Sequence, residues 1–137
     1  MQVGELLLTE DLGTVLTELQ RQLNTNGIPY LQKTKDISMV SSDKRMCNLH
    51  RFRMNLAYYL MNHGIDCMGN FNGGNKVDTK TIYAPYIFSV VVENYIDDYW
   101  FSEKICNCFA NKCVPIYIGA NKINELFDAH GIISVKY

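Results

Sequence analysis

The chain has 137 residues, of which 47% are hydrophobic and 20% are charged, a composition typical of one globular domain. It excludes a disordered chain and a small disulfide-stapled scaffold, because enough apolar side chains are present to form a core. Thirteen Lys and Arg residues oppose fourteen Asp and Glu residues, so the net charge is −1. No overall positive field exists to attract nucleic acid or an anionic membrane. An anionic ligand must therefore be met by a few placed cations.

The chain ends and the cysteines predict a cytoplasmic protein. No basic region precedes the short apolar patch at 3–8, so no secretory signal is expected. No stretch reaches the roughly 18 apolar residues of a transmembrane helix. Five cysteines, an odd number, indicate free thiols in a reducing compartment. Cys106, Cys108 and Cys113 lack the paired spacing of a metal site, which favours buried thiols.

Apolar periodicity predicts alternating helices and strands along the chain. The first predicted helix, at 9–23, is amphipathic and has Thr9 as its N-cap. In the second helix, Phe52, Leu56, Tyr59 and Leu60 form the predicted apolar stripe. The later predicted helices span 49–61, 102–110 and 124–129, and the strands span 37–40, 65–68, 86–92, 114–118 and 132–135.

The alternation of strands and helices predicts an α/β fold. Strand 86–92 is nearly continuously apolar, as strands buried on both faces of a parallel sheet are. We expect a Rossmann-like parallel sheet with helices on both faces, preceded by an N-terminal helix and linker at 1–36 and spanning 37–137. Glycine-rich nucleotide motifs are absent, so a bound nucleotide would be held by side chains and helix ends at the carboxyl ends of the strands.

A polar segment follows the strand at 86–92. Glu93 and Asn94 come directly after the strand, and Ser102, Glu103 and Lys104 begin the next helix. Helix capping and a solvated surface account for these residue types. Alternatively, Glu93 points into the ligand crevice, and Lys104 adds a cation at a helix N-terminus that favours phosphate.

Two arginines begin another helix at the equivalent edge of the crevice. Arg51 and Arg53 are either surface charges or ligand-binding cations. In the second case, the cationic starts of two helices beside one crevice are better matched to a diphosphate than to a single charge.

A family resemblance is carried by residues 86–120, which read YIFSVVVENYIDDYWFSEKICNCFANKCVPIYIGA. With their E-N, S-E-K and V-P-I-Y-I-G motifs, they resemble the core of the family 10 glycosyltransferases, the α-1,3/1,4-fucosyltransferases. A weaker likeness extends back to about residue 37 and forward to the end. The resemblance implies the C-terminal, donor-binding half of a GT-B enzyme that transfers fucose from GDP-fucose to a glycan hydroxyl with inversion. It also implies that side chains neutralise the diphosphate, with no metal or other cofactor required.

The resemblance implies roles for individual residues. Lys104 falls on the lysine that contacts donor phosphate, and Glu103 falls on the carboxylate that binds the ribose hydroxyls. Arg53 matches the arginine that reaches the phosphates. Glu93 and Asn94 match the pair at the floor of the donor site.

Several positions depart from the family pattern. Trp100 replaces a tyrosine of the donor site, which keeps a stacking surface and one N–H donor but loses the phenolic hydroxyl. Tyr95 stands where serine is usual, and Ile87 stands where lysine is usual. Tyr117 and Gly119 are expected to serve packing and a turn.

The resemblance places the catalytic general base outside this chain, in an N-terminal acceptor domain. The histidines, His50, His63 and His130, are expected at the surface or as helix caps. We therefore expect a fucosyltransferase-like enzyme domain that binds a GDP-sugar and a glycan acceptor and that is completed by another domain or pairs with a second copy. The alternatives are a non-catalytic nucleotide-sugar-binding module and a flavodoxin-like domain that binds a partner protein.

Overall fold

The structure, a computed structural model, describes residues 33–137. The predicted helix at 9–23 lies outside the described residues, and the division between 36 and 37 stays a prediction. No helix within the described range is long and apolar enough to cross a membrane. The strands are β1 (Lys35–Val40), β2 (Asp66–Met68), β3 (Tyr86–Val92), β4 (Val114–Ile118) and β5 (Ile133–Ser134), and the helices are α1 (Asn48–Asn62), α2 (Thr79–Tyr83), α3 (Glu103–Ala110) and α4 (Ile123–Leu126), with a 3-10 helix at Ala129–Gly131.

The five strands form one parallel sheet in the order β2-β1-β3-β4-β5. Helix α1 packs on one face, and α2 and α3 pack on the other. This arrangement confirms the expected Rossmann-like α/β fold. The chain first moves outward from β1 to β2 and then returns across β1 to β3, so its direction reverses between β1 and β3. Ligands of open parallel sheets bind at such a reversal, outside the carboxyl ends of the strands.

Strand β3 is the centre of the core, and all seven of its residues are buried. Phe88, Val90 and Val92 point to the α1 face, whereas Val91 packs with Ile105 of α3 on the opposite face. Full burial of such a side chain contributes roughly 1.5–3 kcal/mol. The central strand therefore holds the two layers together and fixes where its carboxyl end emerges.

Two short helical segments differ from the sequence prediction. Helix α2 was not predicted; its N-cap is Asp78, whose carboxylate accepts a hydrogen bond of 3.0 Å from the backbone N–H of Thr81. The helix predicted at 124–129 is wrong in length, because α4 ends at Leu126. Phe127 then adopts an extended backbone, and its ring packs edge-on against Phe101 at 5.2 Å. Packing of this ring ends the helix.

The buried face of α1 also differs from the predicted stripe. Tyr59 was predicted to belong to it, but about half of this residue is exposed, and its ring lies against His63. The face that contacts the sheet is rotated away from Tyr59 and includes two basic residues near the start of the helix. The buried residues of α1 are His50, Arg53, Met54, Ala57 and Leu60.

Candidate functional site

Polar residues gather where β1 and β3 end, at the reversal of strand order. Met39 of β1 lies opposite Val90 of β3, so Ser42 and Glu93 leave the sheet at the same level. Helix α1 begins shortly after Ser42, and α3 begins ten residues after Glu93. The parallel register therefore brings two helix starts to one edge of the sheet.

Glu93 is buried, and its carboxylate is held by several groups of the protein. One oxygen accepts hydrogen bonds from the backbone N–H of Ser102 at 2.7 Å and from the Tyr117 hydroxyl at 3.1 Å. The other oxygen accepts from the Ser102 hydroxyl and lies 3.8 Å from the ammonium of Lys104. Glu93 therefore ties the start of α3 to the end of β4. Its position directly after the buried strand β3 allows it to make these internal contacts.

Gly119 allows the carboxylate and the tyrosine to meet. A Cβ atom at this position would lie 2.5 Å from the Tyr117 hydroxyl and 2.6 Å from Cγ of Glu93, both far inside contact distance. Burial raises the pKa of Tyr117, so its hydroxyl stays protonated and donates to Glu93. These contacts agree with the packing role expected for Tyr117. Gly119 leaves the space in which Tyr117 and Glu93 meet.

The start of α3 carries a cation at a capped helix end. Ser102 is the N-cap, its hydroxyl accepts a hydrogen bond from the backbone N–H of Lys104, and the same hydroxyl lies 3.2 Å from the ammonium of Lys104. Glu103 is exposed in the first turn. Because the N-terminus of a helix is the positive end of its dipole, this end of α3 adds to the positive charge of the Lys104 ammonium.

Arg53 of α1 is the most informative residue of the site. It is only 7% exposed, and one of its terminal nitrogens donates a hydrogen bond of 2.9 Å to the Ser42 hydroxyl. Its Nε is buried and has no hydrogen-bond partner among residues 33–137. Burial lowers the pKa of Arg53, while Cys47 and Glu93 nearby act in the opposite direction, and a guanidinium stays charged in such surroundings. A buried N–H without a partner costs about 1–3 kcal/mol, which an anionic acceptor would recover.

His50 contradicts the expectation of a surface position. It is buried on the face of α1 that also holds Arg53, and its Nδ1 accepts a hydrogen bond of 3.3 Å from the backbone N–H of Met46. Burial, with the charges of Arg53, Lys44 and Lys104, lowers the pKa of His50. His50 therefore lies in an environment that disfavours its protonated form.

The structure brings some predicted site residues together and leaves others at the rim. Arg53, Glu93 and Lys104 surround the carboxyl ends of β1 and β3. Asn94 and Trp100 lie exposed on the loop between β3 and α3, where the backbone carbonyl of Asn94 faces the Cys47 thiol at 3.5 Å. Arg51 is exposed, and its guanidinium donates a hydrogen bond of 3.4 Å to Asn48 of its own helix, which favours the surface alternative.

Ser42, Tyr117 and His50 complete the site without having been predicted as site residues. The helical spacing of His50, Arg53 and Ala57, at intervals of three and four residues, is the sequence signal that could have placed the two basic residues on the buried face of α1. Contacts to Tyr117 carry no such local signal, because it lies 24 residues after Glu93.

A cavity of about 700 Å³ opens farther along the same edge, at the ends of β4 and β5. It is lined by Ile96, Gly119, Asn121, Lys122 and residues 134–137. Its position continues the crevice of the reversal point toward the outer strands.

The cysteines do not form a metal centre in the described part of the chain. Within residues 33–137, no three His, Cys, Asp or Glu side chains are grouped so as to hold an ion. Cys108 and Cys113 are buried, as expected, but Cys106 is exposed, because it lies on the outer face of α3.

Comparison with known proteins gives one informative match. No protein-family model matches the chain, and no curated protein does. A crystal structure of an α1,3-fucosyltransferase matches with a TM-score of 0.58 and 20% sequence identity, covering 82% of this chain. The two proteins share this fold. The chain spans 32% of the length of that enzyme's chain.

Proposed function

We propose that the chain is the donor-binding domain of a fucosyltransferase-like glycosyltransferase and that it binds the diphosphate of GDP-fucose where β1 and β3 end. The observation that carries this proposal is the buried guanidinium of Arg53, whose Nε has no hydrogen-bond partner in the described part of the chain. A stable core alone does not explain a buried guanidinium of which only some N–H groups are hydrogen-bonded, because burying an unpaired polar group is unfavourable. A phosphate oxygen supplies both the missing acceptor and the missing negative charge.

Two phosphates fit the arrangement of cations better than one. Arg53 offers a planar fork of donors from α1, and Lys104 offers a compact charge at the start of α3, at the positive end of the helix dipole. These groups come from opposite sides of the reversal point. Since the net charge of the chain is −1, the attraction is local to this edge of the sheet.

The remaining predicted residues take roles at the rim. Glu103 is exposed in the first turn of α3, where it can accept hydrogen bonds from the ribose hydroxyls. Asn94 and Trp100 flank the diphosphate from the loop before α3. Glu93 acts through its neighbours: by binding Ser102 and pairing with Lys104, it holds the phosphate-binding end of α3 in place.

The proposed reaction is an inverting displacement at the anomeric carbon. The acceptor oxygen forms a bond to this carbon, the bond to the β-phosphate oxygen breaks, and GDP leaves with the bonding electron pair. Arg53 and Lys104 stabilise the charge that develops on the departing diphosphate. The acceptor proton passes to a general base that we place in a second, N-terminal domain, whether on the same polypeptide or on a partner.

Calorimetric titration with GDP and GDP-fucose tests the donor site. We expect both nucleotides to bind and Lys104→Ala and Arg53→Lys each to weaken binding by about tenfold, the effect of losing one charged hydrogen bond worth roughly 1.4 kcal/mol. Glu103→Ala should weaken GDP but not inorganic diphosphate. Arg51→Ala is the matched control, because this neighbouring arginine is exposed and should not matter. Failure of the folded chain to bind any guanine nucleotide would refute the proposal.

A turnover assay separates the enzyme from a non-catalytic binding module. The chain is incubated with GDP-fucose and a panel of glycan acceptors, and released GDP is measured. Transfer that appears only when a second domain is supplied supports the two-domain enzyme. Intact GDP binding with no transfer under either condition would favour the nucleotide-sugar-binding module.

A further inference from the structure

The loop between β3 and α3 exposes three large aromatic side chains. Tyr95 is 56% exposed, Tyr99 is 48% exposed and Trp100 is 40% exposed. We refer to residues 95–100 as the aromatic loop. Aromatic rings contribute most when they are covered, so an exposed group of them beside a ligand crevice indicates a binding surface.

The aromatic loop is held in one conformation by polar contacts. A carboxylate oxygen of Asp97 accepts hydrogen bonds from the backbone N–H groups of Tyr99 at 2.9 Å and Trp100 at 2.6 Å. Backbone N–H groups of Asn121 and Lys122 donate to carbonyls of the loop, each at 2.8 Å. The aromatic surface is therefore formed before any ligand arrives, which lowers the entropy cost of binding.

The rings of Tyr95 and Trp100 form a corner, which we call the platform, because one ring stands nearly perpendicular to the other. Tyr95 and Trp100 meet edge-to-face, with centroids 5.9 Å apart and planes at 79°. The ammonium of Lys122 lies over the Tyr99 ring at 5.5 Å. Ring faces of this kind carry partial negative charge and attract polarised C–H bonds.

Charges of both signs surround the platform, with no excess of cations. Asp97 and Asp98 lie within the aromatic loop, and Glu125 accepts a hydrogen bond from the Tyr99 hydroxyl, whereas Lys122 and Lys136 line the adjoining cavity. This balance differs from the cationic surroundings of Arg53, and it disfavours a phosphate while offering both acceptors and donors to hydroxyl groups. A neutral, hydroxyl-rich ligand with an apolar face complements these features.

The adjoining cavity has room for such a ligand. Ile96 of the aromatic loop forms part of its wall, and its volume of about 700 Å³ lies within the roughly 300–1,000 Å³ of small-molecule sites. Trp100 lies two residues before Ser102, the N-cap of the helix that carries Lys104. A ligand on the platform therefore lies next to the proposed diphosphate site.

We propose that the aromatic loop binds a neutral sugar ring that stacks its C–H face on Tyr95 and meets Trp100 from the side, because the planes of these two rings are nearly perpendicular. The assignment of this ring to the glycan acceptor rests on the proposed function, whereas sugar binding itself does not. The donor-binding domain thus contributes to acceptor recognition, using a tyrosine and a tryptophan at positions where the resembling family has other residues.

Fluorescence titration tests the proposal, because Trp100 is the one tryptophan in the 137 residues and reports directly on the platform. The full chain is titrated with lactose, cellotriose and chitotriose, with excitation restricted to tryptophan. We expect saturable changes in Trp100 emission. Tyr95→Ala should weaken binding by about fivefold to tenfold, the worth of one aromatic contact, while Tyr95→Phe retains it. Tyr59→Ala, which removes an equally exposed tyrosine of α1, should leave binding unchanged.

Three outcomes would overturn the proposal. The first is no response to any of the sugars. The second is a response to guanosine, lost in Tyr95→Ala, without a response to sugars, which would identify a nucleobase platform. The third is self-association of the chain, seen by sedimentation and lost in Tyr95→Ala, that leaves no sugar response. Because Trp100 also flanks the proposed diphosphate site, calorimetry with GDP on Tyr95→Ala separates the two sites: GDP binding should be unchanged in this variant, since Tyr95 has no role in the donor site.

Discussion

Replacing the buried carboxylate of Glu93 by an amide should destabilise the fold while changing its volume little. The carboxylate accepts from the Ser102 N–H, the Ser102 hydroxyl and the Tyr117 hydroxyl, and it lies beside the ammonium of Lys104. In Glu93→Gln, the amide nitrogen cannot accept hydrogen bonds. At least one of these donors is then left facing another donor in a buried place, which costs about 1–3 kcal/mol.

Loss of the contact with Lys104 adds to this cost. The Lys104 ammonium is partly exposed to solvent, so its ion pair with Glu93 contributes only about 0–1 kcal/mol. We therefore expect Glu93→Gln to lower the free energy of unfolding by about 1–4 kcal/mol, against a typical total of about 5–15 kcal/mol. Urea unfolding at neutral pH measures this value, with Glu103→Gln as a control because that carboxylate is exposed.

A double-mutant cycle with Tyr117→Phe locates the effect. The two side chains share a hydrogen bond of 3.1 Å, so their losses should not be additive, with a coupling energy of about 0.5–3 kcal/mol. The role of Glu93 as the group that ties α3 to β4 would be refuted by either of two results. One is a free energy of unfolding of Glu93→Gln within about 0.5 kcal/mol of that of the unsubstituted chain, and the other is strict additivity with Tyr117→Phe.

Three further predictions follow from the same site. Gly119→Ala should lower the free energy of unfolding by about 1–3 kcal/mol in urea titrations, because the new methyl group overlaps Tyr117 and Glu93; an unchanged midpoint would contradict the geometry. Burial lowers the pKa of His50 below 6.5, so the unfolded chain takes up a proton before the folded chain does as the pH falls. The contribution of neutral His50 to stability should be complete above pH 6.5 and should decrease as the pH drops below it. His50→Gln should remove this pH dependence from urea unfolding curves measured on both sides of pH 6.5. GDP affinity, measured by calorimetry, should fall as salt rises, and a salt-independent affinity would argue against charge as the basis of binding.

The central strands could be predicted from the sequence because each carries its own burial signal. Strand β3 was predicted as 86–92 and β4 as 114–118, and the structure has the same bounds. Both strands are continuously apolar and end at polar residues or glycine, so no distant contact is needed to recognise them. Ser102 as the N-cap of α3 is equally local, since its hydroxyl caps its own helix.

The short helices could not be predicted in the same way. Helix α2 has five residues and α4 has four, which is too few for a helical period to emerge. Their ends depend on tertiary contacts, such as the packing of Phe127 against Phe101. Strand order, which creates the reversal between β1 and β3, likewise depends on pairings between distant segments.

For the candidate site, the sequence predicted several of the residues that lie together at this edge but not their burial or their contacts. Sequence placed Arg53, Glu93 and Lys104 at strand or helix ends, and their common edge follows from the parallel sheet. Burial of Arg53 and exposure of Arg51 depend on how α1 is rotated against the sheet, a property of the packed structure. The internal partners of Glu93 are likewise distant in sequence, with Tyr117 supplied by the next strand.

Mapping of GDP-induced changes in backbone amide resonances tests the central claim most directly. Because the diphosphate is expected between the starts of α1 and α3, the largest shifts should fall at Ser42, at residues 48–53 and at residues 102–104. Inorganic diphosphate should reproduce most of them, and Arg53→Lys should reduce them. Shifts confined to other parts of the sheet edge, or no shifts with GDP at saturating concentration, would contradict a diphosphate site at the ends of β1 and β3.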